Sequence, residues 1–155
     1  MGMYGFFVAV PEEKFEEFTA AEYPLELDYI QRWCVDDAWH VIQVVTRMNN
    51  FTAQSDHFDN ANNLPAATGQ YDLFSPERIL AYHAYLCEMD ALGKIERFRS
   101  EPVRIKNLYR VESIEGDELV DQILYLKKCL KSVLPSQNAE TGAAENRYVV
   151  VYYVA

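Results

Sequence analysis

The sequence predicts an α+β domain: a small mixed sheet that includes the N- and C-terminal strands, flanked by about five helices. Three observations lead there. The chain begins and ends with short apolar runs, 4–10 and 148–154, rich in aromatic and β-branched residues. Between them lie several segments with helical spacing and recognisable start and stop signals. The length, 155 residues, fits one domain, and no linker or internal repeat divides it.

In the first run Tyr4, Phe6, Val8 and Val10 alternate with Phe7 and Ala9, so both faces are apolar and the strand is covered on both sides. Pro11 ends it and opens a short helix, with Glu12 and Glu13 in the electropositive first turn and Phe15 and Phe18 turned one way. That helix stops before Tyr23 and Pro24. Over 25–35, Leu27, Ile30 and Trp33 or Cys34 have helical spacing. Asp36 caps a second helix over 37–48, with Ala38, Val41, Val45 and Met48 on one face. Its β-branched content argues for strand, while cap and spacing favour helix. A long polar, Asn-rich connection follows over 49–71. Such loops are functional or disordered, and this one is the first place to seek a binding surface.

Ser75, Pro76 and Glu77 form a helix start, and a stripe of Ile79, Leu80, His83, Leu86 and Cys87 carries the helix to about Met89. Leu92, Ile95 and Phe98 mark a shorter amphipathic piece. Ser100, Glu101 and Pro102 restart a turn or two bearing Ile105, Leu108 and Tyr109, with a strand over 103–111 as the competing reading. Asp117 then caps the longest regular pattern: Leu119, Ile123, Leu126, Leu130 and Val133, acids leading, lysines closing, Pro135 stopping it. A polar loop over 136–146 leads to the last strand, which is expected beside the first.

Composition narrows the function classes. Asp and Glu number 24 against 14 Lys and Arg, a formal charge of −10. A chain so acidic is repelled by phosphate backbones and anionic lipid, so neither nucleic acid nor membrane is an expected partner. The densest positive group is Lys127, Lys128 and Lys131, at a helix end where the dipole already favours it. A basic protein partner is electrostatically easier. Cys34, Cys87 and Cys129 form no CxxC and read as reduced thiols of a cytoplasmic protein. No run reaches the roughly 20 apolar residues of a membrane span, and 1–10 lacks the basic flank of a signal peptide. Gly2 does not start a myristoylation motif, since Phe6 stands where Ser or Thr is needed.

No cofactor or metal fingerprint is present: Gly69, Gly93, Gly116 and Gly142 stand singly, there is no GxSxG elbow, and no cysteine is read as combining a nearby histidine with a low-pKa setting. Two constellations remain. Asp36 and His40, four apart, set a carboxylate beside an imidazole that could act as a base; an N-cap and a satisfied helix histidine is the more ordinary reading. Asp56, His57 and Asp59 crowd the polar loop without zinc or calcium spacing, and a solvated loop is the ordinary reading. Trp33, Trp39 and Phe51 could line a pocket, though core packing is their commoner use.

The opening Met1-Gly2-Met3-Tyr4-Gly5-Phe6-Phe7 and the segment Val35-Asp36-Asp37-Ala38-Trp39-His40 resemble the bacterial YfbM-like proteins, a domain family of unknown function. The order of the later elements is similar too, so the likeness covers nearly the whole chain. The chain departs from that pattern at the Asn-rich loop, where the family carries a glycine-rich Pro-Leu stretch, and at Arg110, where it tends to have proline. The resemblance implies a bacterial α+β domain, draws attention to Trp39 and His40, and supplies no activity. The functional expectation is a non-catalytic protein-interaction or ligand-binding domain, an acidic antitoxin or immunity-type protein being one concrete version. The alternative is a small-molecule enzyme using His40 and Asp36 in a Trp39-lined cleft.

Overall fold

The computed structural model describes residues 5–35, 53–54, 71–101, 103–106, 111–137, 144–145 and 147–154. The chain is α+β. Its main sheet holds β1 (Gly5–Pro11), β2 (Gln31–Cys34), β3 (Ala53–Gln54), β4 (Tyr71–Phe74) and a last strand, β9 (Tyr148–Val154), in the order β2-β1-β9-β4-β3. Two hairpins stand apart: β5 (Val103–Lys106) with β6 (Val111–Ile114), and β7 (Ser136–Gln137) with β8 (Ala144–Glu145). Every pairing among the described residues is antiparallel, so the sheet is not the mixed one expected.

β1 and β9 share the longest ladder, from Gly5 opposite Val154 to Pro11 opposite Tyr148. Beyond it the amide of Glu12 still donates to the carbonyl of Arg147 at 2.9 Å. The alternation of the two strands divides the interior. Phe7, Ala9, Val150 and Tyr152 face a large core shared with two long helices; Val8, Val10 and Val151 face a small one with Phe18. Across the large core a run of aromatic rings links the layers. Tyr152 lies 4.9 Å from Phe7, Phe7 6.2 Å from Phe74, and Phe74 5.5 Å from Tyr82.

Three α-helices lie among the described residues, where about five were expected: α1 (Phe15–Ala20), α2 (Pro76–Ala91) and α3 (Gly116–Ser132). The helix expected over 37–48 lies outside them, as does most of the polar connection. α2 starts where Ser75, Pro76 and Glu77 indicate, the Ser75 hydroxyl accepting from the Arg78 amide at 3.2 Å. Its buried face is Ile79, Tyr82, Leu86 and Met89. Leu80 of the expected stripe is 51% exposed, because the spacing that reaches the sheet runs through Tyr82 and Met89 instead. α2 ends in a Schellman turn: Gly93, at φ +70°, donates to Asp90, and Lys94 reaches back to Met89.

α3 buries the whole expected series Leu119, Ile123, Leu126, Leu130 and Val133. Asp117 does not cap it. The N-cap is Glu115 and no side chain bonds across it, because Gly116 begins the helix pressed against backbone. A Cβ there would lie 2.8 Å from the Arg99 carbonyl oxygen and closer still to that of Phe98. Asp117 serves the same end from outside: Arg99 binds it at 3.1 Å, with Glu96 at 2.7 Å and Asp121 at 3.5 Å.

Two further segments differ from expectation. The helical spacing over 25–35 becomes a 3-10 turn, Pro24–Glu26, followed by β2, because Trp33 beside Phe7 continues the sheet and packs in the large core. The restart after Pro102 is the strand β5, which meets the competing 103–111 reading only over Val103–Lys106, Val111 beginning its antiparallel partner β6. Leu92, expected on a buried face, is 60% exposed, while Ile95 and Phe98 pack inward around the 3-10 helix Glu96–Arg99.

Replacing Gly116 with Ala forces the backbone of 98–99 away from α3, and urea unfolding is expected to show a loss of about 1–3 kcal/mol. Gly93→Ala meets open space and strains only the backbone, at about 1 kcal/mol. A Gly116→Ala protein as stable as the parent would refute the close approach.

Candidate functional site

The residues singled out from sequence, Asp36, Trp39, His40, Phe51, Asp56, His57 and Asp59, lie outside the described residues. Trp33, the remaining member of the aromatic group, is a core residue of β2.

The described residues form a different candidate: a cleft of about 350 Å³ where β4 turns into α2. Its walls are Phe15 of α1, Leu73 of β4, Pro76 at the start of α2 and Val149 of β9. The alternation of the strands puts these groups together. Leu73 sits opposite Val151, and both belong to the small-core side of the sheet, with Val149 two residues along the same face. α1 has only six residues, and its Phe15 reaches the edge of this surface rather than closing it.

The rim carries Glu12, Glu77 and Arg78, and Arg147 ties the two glutamates together. Arg147 donates from Nε to Glu12 at 3.2 Å, and from Nη2 to Glu12 at 3.3 Å and to Glu77 at 2.8 Å. This fork joins the end of β1 to the first turn of α2 across the cleft mouth. Arg147 and the backbone amide of Glu77 hold the Glu77 carboxyl below its usual range, so it carries no proton to give near neutrality. The N-terminus of α2 is closed as well. Pro76 has no N–H, the Glu77 carboxylate takes its own amide, and Ser75 takes that of Arg78. No strong anion subsite remains there; the cleft suits an apolar group.

A second cluster lies on the outer side of α2 and α3. His83 and Cys87 are in contact one turn apart, the sulfur 3.8 Å from Nδ1 and 3.7 Å from Nε2. The pair was legible as i,i+4, but both residues were assigned to the core stripe, and both are only half-buried. Burial first, then Lys127 and Lys131, hold His83 below its usual pKa, so it is neutral near pH 7. The sulfur is almost equidistant from the two ring nitrogens, so neither in-plane lone pair points at the thiol, and the contact is not that of a base poised on a nucleophile. Lys127 is engaged by Asp90 at 2.9 Å, tying α3 to α2. Cys129 is buried, and burial pushes its thiol pKa up. The described cysteines are outside any disulfide, and among the described residues no three metal-type side chains converge. No helix among them is long and apolar enough to cross a membrane.

The depressed pKa of His83 has a thermodynamic consequence. As the pH falls, the unfolded chain, with His at its ordinary value of 6.5, takes up a proton before the folded chain does. Stability is therefore lost as the pH falls through that value. Urea midpoints compared across mildly alkaline to mildly acidic pH should fall more for the parent than for His83→Gln; equal slopes would refute the assignment.

No protein-family model matches the chain, and neither a curated protein nor a solved structure does.

Proposed function

We propose that this chain is a non-catalytic binding domain, a YfbM-like protein of the bacterial cytoplasm, in which the cleft between Phe15, Leu73, Pro76 and Val149 receives an apolar group. The YfbM-like part of the reading rests on the sequence motifs alone. One observation carries the binding reading: the cleft has apolar walls, and at its mouth Arg147 ties Glu12 to Glu77. Catalysis of acid–base type needs a titratable group poised near the working pH and aimed at a reacting atom. Of the carboxylates at this rim, Glu77 is driven the other way, fixed as an anion by Arg147. What remains is shape and apolar surface held by a charged frame, the anatomy of a site that seats one anchoring side chain or one small apolar ligand.

The test is an amide-resonance titration with small neutral probes, indole and cyclohexanol. Shifts confined to residues around Leu73, Glu77 and Val149, and lost in the cleft-filling variant Val149→Phe, are the expected result. Absence of shifts there at millimolar probe, or shifts that Val149→Phe leaves unchanged, would remove the reading.

A further inference from the structure

We propose that the occupant of the cleft is a basic peptide segment of a protein partner: one apolar side chain enters between Phe15, Leu73 and Val149 while neighbouring Lys or Arg residues lie on the acidic outer side of α1. This rests on the binding reading above and names the partner's chemistry.

The argument is charge complementarity around an apolar hole. Residues 12–28, which include the Glu12 and Phe15 that line the cleft, hold seven acids, Glu12, Glu13, Glu16, Glu17, Glu22, Glu26 and Asp28, against the single Lys14. All seven are exposed. Within this stretch Lys14 meets Glu17 at 3.6 Å, and Glu12 is held by Arg147. Seven of the chain's 24 acids thus fall in this one stretch, whose Glu12 and Phe15 line the cleft. Glu77, 70% exposed on its side chain, stands on the opposite wall.

An acidic surface steers cations toward it and repels anionic ligands. The cleft is too apolar for the cation itself, whose desolvation would go uncompensated there. The two features therefore select different parts of one ligand, an apolar part and a cationic part set a few ångströms apart. A peptide bearing a Leu, Phe or Trp next to Lys or Arg provides that combination. A small polyamine supplies the charge without the anchor, and a neutral apolar molecule the reverse. Anionic lipid is disfavoured by the same charge.

The test uses short synthetic peptides with a central Leu, Phe or Trp flanked by Lys and Arg, by Ser, or by Glu, titrated into the full chain and followed by amide resonances and calorimetry. The Lys/Arg peptides should bind at least about tenfold tighter than the Ser peptides, and the advantage should vanish between about 0.05 M and about 0.5 M salt. Val149→Phe should block the anchor, with Leu73→Phe as a second filling variant should the first fail to fold. Glu13→Lys combined with Glu16→Lys and Glu17→Lys, all exposed, should abolish the charge preference alone. Ser peptides binding as well as basic ones would overturn this inference and leave the apolar-site reading standing. Basic peptides indifferent to both filling variants, or displaced equally by spermine, would overturn it as non-specific cation binding. Loss of neutral-probe binding as well would remove both.

Discussion

The ladder between β1 and β9 is the constraint on which the rest depends. It joins the first and last described strands of the chain through seven residue pairs, so nearly the whole sequence is a loop closed by it. Both strands are apolar on both faces and cannot remain stable with either face in water. Each face therefore has to recruit cover. On one side α2 and α3 supply it, with the ring series Tyr152, Phe7, Phe74 and Tyr82 carrying contact from the sheet into α2. On the other side the described cover is α1 and the turns that follow it, where Phe15, Leu25, Leu27, Tyr29 and Ile30 pack around Phe18.

This unequal cover creates the cleft. Among the described residues, two helices of 16 and 17 residues overlie one face, and a helix of six overlies the other. The cleft opens where the short helix stops reaching. Its geometry is fixed nonetheless, because Phe74, fully buried against Phe7 and Tyr82, immediately precedes the Ser75 cap. The start of α2 cannot shift without disturbing that packing. Arg147 adds a second restraint, holding Glu12 and Glu77 together from the neighbouring strand end. Such exposed pairs contribute little to stability individually, but their fork geometry sets the width of the mouth.

What could be read from the sequence follows the range of the forces involved. α3 is legible because its stripe of Leu119, Ile123, Leu126, Leu130 and Val133 is a local pattern, and the α2 start because Ser75, Pro76 and Glu77 act within one turn. The spacing over 25–35 misleads because Trp33 answers to Phe7 across the sheet, a contact that local periodicity does not encode. The segment after Pro102 misleads for the same reason, its partner being β6. The cleft was illegible altogether. Its walls come from residues 15, 73, 76 and 149, and the arginine that frames it was unremarkable in a scattered set of basic residues. The Gly116 contact was equally hidden, since it depends on where the 98–99 backbone passes.

The size of the cleft limits how it can be used. One side chain fully transferred from water into it gains about 1.5–3 kcal/mol. Association of two proteins loses at least about 4 kcal/mol of rigid-body freedom before side chains are ordered. An anchor in a cavity of about 350 Å³ therefore cannot hold a partner by itself. The remainder has to come from surface beside the cleft, and the adjoining described surface is the acidic side of α1. Ion pairs formed there are individually weak and screened by salt, but they act at a distance and raise the encounter rate. The apolar hole then supplies what charge lacks, a fixed register for the bound segment. The two features are each insufficient alone and complementary in range, which is why the cleft and the acidic helix are best understood as one surface.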